Sequence, residues 1–229
     1  MVSSVMGART PAGPPGDAQH GSFVADLTAS RVMAIIRGTD TAAAVGAAVT
    51  LFEEGVRFVE VALTTPGALR AIEAIRPHVP AGASIGAGTV LTAGDVVDVE
   101  AAGAQFVVTP AVTPSIAEAS ARGLPVAAGA LTPTEAWTAM QQGASAVKLF
   151  PSSVGGPAYL KAVRDPFPDI PFLAVGGVGL DDVAAYLGVG AIGVGVGGPL
   201  VGDAASGGDL AALRRRARSY IAVAQRISS

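Results

Sequence analysis

The repeated alternation of short apolar runs with alanine-rich segments constrains this fold more than any other feature of the chain. The pair occurs eight times between residues 32 and 227. Uniformly apolar runs that alternate with helices indicate a parallel sheet covered on both faces. The predicted strands are residues 32–36, 58–63, 84–87, 106–109, 125–128, 146–150, 172–175 and 191–195.

The segments between the strands have helical spacing and carry helix-end residues. Thr132 precedes Pro133 and Glu135, an arrangement that favours a helix start, and Thr92 and Thr113 are placed similarly. Glycines that follow helices predict left-handed C-terminal caps; they are Gly55, Gly103, Gly123 and Gly143. The predicted helices are residues 41–54, 66–76, 93–102, 114–121, 133–142, 156–163, 180–187 and 209–227.

Eight such units favour an α/β fold of one domain, a single (β/α)₈ or TIM barrel, and 229 residues suit it. A doubly wound open sheet is the alternative that the pattern leaves open. Residues 1–22 carry several Gly and Pro and no apolar periodicity, so we expect a disordered leader there and the barrel domain over residues 23–229.

Composition excludes several classes of function. The net charge of −3 and the lack of a basic stripe argue against nucleic acid or a membrane as partner. There is no cysteine, and the two histidines, His20 and His78, stand in loop-like sequence. We therefore expect no metal site, no cysteine nucleophile and no Ser-His-Asp triad.

Lys148 and Glu60 are the predicted catalytic residues, because each stands in an apolar strand. Burial disfavours a charged amine, so the pKa of Lys148 should fall and leave a neutral nucleophile for a carbonyl. Burial should raise the pKa of Glu60, which suits proton transfer near neutral pH. A structural ion pair between the two is the alternative interpretation.

Other candidates follow the strands and should meet at one face of a barrel, the carboxyl end of its strands. Arg37 could clamp a carboxylate, with a salt bridge as the alternative. Thr89 could bind a carboxylate or keto oxygen, with a local turn contact as the alternative. Glycine pairs after the last two strands could offer backbone N–H groups to a phosphate, or could only form tight turns; they are Gly176-Gly177 and Gly197-Gly198.

Taken together, the segments resemble the 2-keto-3-deoxy-6-phosphogluconate (KDPG)/4-hydroxy-2-oxoglutarate (KHG) aldolase family over about residues 27–227. All of the matching motifs except residues 156–162 contain candidate residues. They are residues 55–61 (GVRFVEV), 86–90 (GAGTV), 108–110 (VTP), 148–151 (KLFP), 156–162 (GPAYLKA) and 175–178 (VGGV).

The resemblance implies a cytoplasmic class I aldolase with no metal and no organic cofactor. Its substrate would be a 2-keto-3-deoxy-6-phospho sugar acid, cleaved to pyruvate and glyceraldehyde 3-phosphate, and KHG could be cleaved to pyruvate and glyoxylate. The family implies an imine on Lys148, proton transfer by Glu60, and a pyruvate site lined by Thr89, Pro110 and Phe150. It also implies a homotrimer, with small-molecule keto acids and phosphosugars as the other partners.

The chain departs from the common family pattern at three places. Thr64 stands where many gluconate-type members have an arginine, and Arg37 resembles the substitute used in other branches. Val175 replaces a threonine before Gly176-Gly177, which resembles the 6-phosphogalactonate branch. Pro199 follows Gly197-Gly198 where a serine is common, and proline has no N–H to offer a phosphate.

Two other functions stay open at this stage. A phosphosugar isomerase or epimerase would use the same glycine loops but would not need a desolvated lysine. A catalytically inactive barrel could act as a binding module.

Overall fold

The computed structural model describes residues 17–228, and these residues form a closed barrel of eight parallel strands. Each strand pairs with the next along the chain, and the last pairs with the first through Val32↔Val194 to Ala34↔Val196. Closure confirms the barrel prediction and excludes the open sheet. The strands are β1 Val32–Ile36, β2 Phe58–Ala62, β3 Ser84–Gly88, β4 Val107–Val108, β5 Val126–Ala130, β6 Ala146–Leu149, β7 Phe172–Val175 and β8 Gly193–Val196.

Helices follow the strands and surround the barrel. They are α1 Asp17–Ser30, α2 Thr41–Glu53, α3 Ala68–Ile75, α4 Ala93–Ala101, α5 Ser115–Ala121, α6 Pro133–Gln141, α7 Gly156–Arg164, α8 Val183–Gly188, α9 Gly198–Val201 and α10 Leu210–Gln225. Most predicted ends are displaced by one or two residues. Two helices were not predicted, α9 after β8 and α1 before β1. Helix α1 includes residues 17–22 of the predicted leader, and residues 1–16 of that leader lie outside the described part of the chain. No described helix is long and apolar enough to span a membrane.

The helix ends follow most of the predicted chemistry. Thr92 and Thr132 each accept a backbone hydrogen bond from the third helical residue, whose carboxylate in turn accepts from the threonine N–H. The prediction for Thr113 was wrong, because Pro114 caps α5 and the Thr113 hydroxyl lies 2.7 Å from that of Ser115 instead. The four predicted C-cap glycines all have φ between +74° and +93°, which confirms their left-handed conformation.

Two apolar clusters hold the barrel together. The larger lies between the strands and the surrounding helices. The smaller lies inside the barrel, and at its amino-terminal end the rings of Phe23, Phe58 and Phe106 lie 5.4–5.8 Å apart. We call these three rings the aromatic plug. Phe23 reaches it from α1, so this helix closes the end of the barrel opposite to the carboxyl ends of the strands.

Candidate active site

A cavity of about 330 Å³ opens at the carboxyl ends of the strands. Its size suits a small ligand, and this is the end where barrels place their chemistry. Lys148 and all nine predicted binding residues line it: Arg37, Thr89, Pro110, Phe150, Val175, Gly176, Gly177, Gly197 and Gly198. The structure thus brings these ten residues together at one end of the barrel, whereas Glu60 is not among the residues that line the cavity. Apolar or backbone wall residues that were not predicted are Ile35, Val178, Gly195 and Val196.

Lys148 lies on β6 between Gly129 of β5 and Leu173 of β7, and its side chain is 6% exposed. The ammonium nitrogen Nζ stands 4.9 Å from the centre of the Phe150 ring. Burial lowers the pKa of Lys148, the negative charge of Glu60 opposes that change, and the positive charge of Arg37 adds to it. The Lys148 side chain therefore reaches the cavity, and its burial favours the neutral amine over the charged ammonium form.

Glu60 lies behind the cavity wall on β2 and is 1% exposed. Gly88 of β3 leaves room for the Glu60 side chain, since a Cβ on Gly88 would come within 2.6 Å of Oε1 of Glu60. The carboxylate forms no salt bridge with Lys148, and Oε2 has no hydrogen-bond partner among the described residues. A tight structural ion pair, the alternative interpretation, is therefore absent at this site.

The charge state of Glu60 follows from the same burial. Burial raises the pKa of Glu60, and the positive charges of Lys148 and, less strongly, Arg37 oppose this. A buried carboxyl that retains an unpartnered oxygen can take up or release a proton near a reacting group. Burial therefore raises the pKa of Glu60 and lowers the pKa of Lys148.

Arg37 follows β1 with an exposed side chain and forms no salt bridge with another described residue. The backbone around it is fixed. The N–H of Gly38 donates to the hydroxyl of Thr65 at 3.3 Å, and a Cβ on Gly38 would lie 1.9 Å from the carbonyl oxygen of Ala205. The backbone at Arg37 is thus fixed, while its guanidinium has no salt-bridge partner among the described residues. This arrangement fits the binding of an anion better than a structural role in a salt bridge.

Thr89 has a backbone conformation that threonine rarely adopts. Its φ is +59°, in the left-handed region, where a β-branched side chain is strained. Its hydroxyl makes no hydrogen bond to another described residue, so the turn-contact alternative has no support. Strain of this kind persists where the surroundings impose it, and it is frequent at ligand sites.

The glycine loops after β7 and β8 offer free backbone donors. Gly176 and Gly177 have φ of +91° and +76°, and the N–H groups of Gly177, Val178 and Gly198 donate to no other group of the described residues. Such N–H groups at neighbouring strand ends can bind an oxyanion. The absence of a donor at Pro199 leaves Gly198 as the first N–H of α9.

Over residues 17–228 there is no group of three His, Asp or Glu side chains that could hold a metal ion. His20 lies in α1, at the opposite end of the barrel from the cavity, and His78 ends a short 3₁₀ turn after α3.

Comparison with known proteins gives a consistent family. Residues 24–215 match the family model described as KDPG and KHG aldolase. A probable 2-dehydro-3-deoxy-6-phosphogalactonate aldolase of Rhizobium meliloti (strain 1021) is 38% identical over 193 residues, 83% of this chain and 90% of the relative. The 2-dehydro-3-deoxy-6-phosphogalactonate aldolase of Escherichia coli (strain K12) is 38% identical over 171 residues, 74% of this chain and 83% of the relative.

A solved structure agrees with these relatives. The structure titled "Native KDPGal structure" superposes with a TM-score of 0.81 at 34% identity and covers 86% of this chain and 95% of its own. The likeness thus extends over nearly all of the barrel.

Proposed function

Since the chain belongs to the KDPG and KHG aldolase family, we propose that Lys148 is the Schiff-base lysine through which it works as a class I aldolase. The observation that carries this assignment is a desolvated lysine that reaches the cavity without an ion-pair partner. An isomerase or epimerase would not need an amine nucleophile, since enolisation needs only a base.

The reaction begins with attack of the neutral Nζ of Lys148 on the C2 carbonyl of the keto acid. The carbinolamine loses water and leaves a protonated imine, which withdraws electrons from C3. The C4 hydroxyl gives its proton to the carboxylate of Glu60 as the C3–C4 bond breaks, and the electron pair moves into an enamine. The aldehyde leaves, Glu60 returns its proton to C3, and water hydrolyses the imine to release pyruvate and free Lys148.

The rest of the cavity binds the two anionic ends of a 2-keto-3-deoxy-6-phospho sugar acid. Thr89, Pro110 and Phe150 line the pyruvate part, beside the amine. The free N–H groups of the loops after β7 and β8 bind the phosphate, and those loops contain Gly176-Gly177 and Gly197-Gly198. Arg37 follows β1, which pairs with β8, and its exposed guanidinium supplies the positive charge that these N–H groups lack.

The proposal includes cleavage of both C4 epimers, with a modest preference for the galactonate-derived one because Val175 before Gly176-Gly177 resembles the 6-phosphogalactonate branch. Val175 presents only methyl groups to the cavity, so the wall beside C4 cannot hydrogen-bond a hydroxyl in either configuration. KHG shares the reacting centre and carries a carboxylate in place of the phosphate end, which the guanidinium of Arg37 suits equally. We extend the proposal to a cytoplasmic homotrimer, as the family resemblance implies.

The test is intact-mass measurement after incubation with pyruvate and sodium borohydride. Wild type should gain one reduced pyruvate adduct, and Lys148→Ala should gain none. Lys161→Ala is the matched control, because Lys161 is the only other lysine of the chain and is exposed on α7, so this variant should keep the adduct. Folded wild type without an adduct, or an adduct that survives in Lys148→Ala, would overturn the assignment.

A further inference from the structure

The hydroxyl of Ser152 joins the ends of β6 and β7 beside the cavity. Its Oγ donates to the carbonyl of Leu149 at 2.7 Å and accepts from the N–H of Val175 at 3.0 Å. Leu149 pairs with Ala174 in the register of these strands. In a parallel ladder the next hydrogen bond falls between the Leu149 carbonyl and the Val175 N–H. Ser152 therefore contacts both partners of the last rung.

The segment that carries Ser152 is held on two further sides. The hydroxyl of Tyr186, from α8, donates to the Ser152 carbonyl at 3.0 Å. The N–H of Ser153 donates to the carbonyl of Gly176 at 3.0 Å. Ser152 and Tyr186 are 1% and 2% exposed, so water does not compete for these bonds. The turn after β6 is thus bonded to β6, to the loop after β7 and to α8.

The two backbone groups that Ser152 joins belong to the two halves of the site. Leu149 directly follows Lys148, which bonds to the keto carbon in the proposed reaction. Val175 directly precedes Gly176-Gly177, whose loop binds the phosphate in that proposal. We propose that Ser152 is a positioning residue that fixes the distance between Lys148 and this glycine loop. The inference rests on the proposed aldolase function and goes beyond it, because Ser152 is not itself placed in contact with substrate.

Two reactions of one enzyme separate this role from general stabilisation. Cleavage of 2-keto-3-deoxy-6-phosphogalactonate needs Lys148 and the glycine loop at their correct distance. Exchange of the methyl hydrogens of pyruvate with D₂O, followed by NMR, needs Lys148 and Glu60 but no phosphate contact. Ser152→Ala should lower kcat/KM for cleavage by about 10–100-fold, the order expected for a small misplacement, and should change pyruvate exchange by no more than about 3-fold.

Ser145 provides a matched control at the other end of the same strand. It is 6% exposed, precedes β6, and its Oγ accepts from the N–H of Val126 of β5 at 3.0 Å. Ser145→Ala thus removes a buried serine hydroxyl from the end of β6 that is far from the cavity. It should lower the free energy of unfolding to a similar extent as Ser152→Ala and leave the ratio of cleavage to exchange at the wild-type value.

Tyr186→Phe serves as a second variant in case Ser152→Ala does not fold. It keeps the Ser152 hydroxyl and removes the bond to its carbonyl, so we expect a selective loss of cleavage of about 3–10-fold. Equal losses in cleavage and exchange, no loss, or the same selective loss in Ser145→Ala would overturn the role of Ser152. Wild type that neither cleaves nor exchanges would instead refute the proposed function, and this inference with it.

Discussion

At both ends of the barrel interior a glycine of β3 makes room for a larger side chain, which is apolar at one end and ionisable at the other. Gly86 of β3 has no Cβ, and the ring of Phe106 fills that space in the aromatic plug. Two residues further along the same face of β3, Gly88 leaves the space that the carboxylate of Glu60 fills. On β2 the interior face changes from Phe58 in the plug to Glu60 at the site within the same two residues.

This difference teaches how the barrel separates stability from function. The plug buries apolar rings that stabilise the fold. The site buries an amine and a carboxyl, and one oxygen of that carboxyl has no hydrogen-bond partner among the described residues. Buried ionisable groups cost free energy, and a fold can keep them only if other regions supply the stability. Substitutions at the two ends should therefore affect different measurements.

The largest expected effect is at the plug. Phe106→Ala removes a fully buried ring and should lower the free energy of unfolding by about 3–5 kcal/mol. Urea unfolding measures this loss. The activity of each folded molecule, counted by borohydride trapping with pyruvate, should stay within about 2-fold of wild type, since the ring belongs to the plug with Phe23 and Phe58 and does not itself line the cavity. A large fall in activity per folded molecule would mean that the plug also positions the site.

The reverse pattern is expected for Glu60→Gln. The amide keeps the shape of the side chain but cannot take up the C4 hydroxyl proton, so kcat for cleavage should fall roughly 10³-fold, about 4 kcal/mol in barrier. Steady-state kinetics measures this fall, and circular dichroism checks that the fold is retained. Activity close to that of wild type would remove Glu60 from the proton-transfer role.

Much of this comparison could be predicted from sequence. Lys148 and Glu60 stand out because charged residues are rare in apolar strands, and the strand ends predict which side chains meet. The aromatic plug could not be predicted, because Phe23 lies outside the eight repeats and its contacts with Phe58 and Phe106 join residues far apart in sequence.

Local chemistry explains the other omissions. The strained φ of Thr89 is imposed by its surroundings and leaves no trace in residue type. Ser152 lies in a Pro-Ser-Ser segment that sequence alone indicates only as a loop, and its importance depends on the register of β6 against β7. The overall repeat was thus predictable, while contacts that depend on exact three-dimensional register were not.

Replacement of both buried ionisable groups should stabilise the protein. Lys148→Met with Glu60→Gln removes the desolvation cost of the pair, and we expect the free energy of unfolding to rise by about 1–4 kcal/mol near neutral pH. Urea unfolding compares the double variant with wild type. A lower stability would mean that the attraction between Lys148 and Glu60 outweighs the cost of burying them.

The gain should depend on pH in a defined direction. Burial raises the pKa of Glu60 in the folded protein, so the folded state holds this proton more tightly than the unfolded state. Glu60 therefore adds its full share to wild-type stability at a pH below about 4.3, its pKa in the unfolded chain. That share is lost as the pH rises through the pKa of Glu60 in the folded protein. The lowered pKa of Lys148 penalises the folded state until pH passes about 10.4. The advantage of the double variant should therefore be smaller at pH 4.5 than at pH 7.5, which unfolding at both pH values tests.

The smallest expected effect concerns the choice between substrates at the functional end. Wild type should cleave both C4 epimers, since Val175 offers neither of them a hydrogen bond. The resemblance to the 6-phosphogalactonate branch implies a modest preference for the galactonate-derived epimer. Val175→Thr adds a hydroxyl with little change in shape, and one such contact is worth about 1 kcal/mol, so the ratio of kcat/KM should move roughly 5-fold toward the gluconate-derived epimer.

Val178→Thr is the control for this last prediction, because Val178 is a second buried valine of the same cavity wall and follows the glycine pair instead of preceding it. It should leave the epimer ratio within about 2-fold of wild type. A strong gluconate preference in wild type, or equal displacements of the ratio in both variants, would show that discrimination at C4 does not depend on the side chain before Gly176. Since an unpartnered hydroxyl also costs free energy when buried, a fall in kcat/KM for both epimers would place the added hydroxyl away from C4.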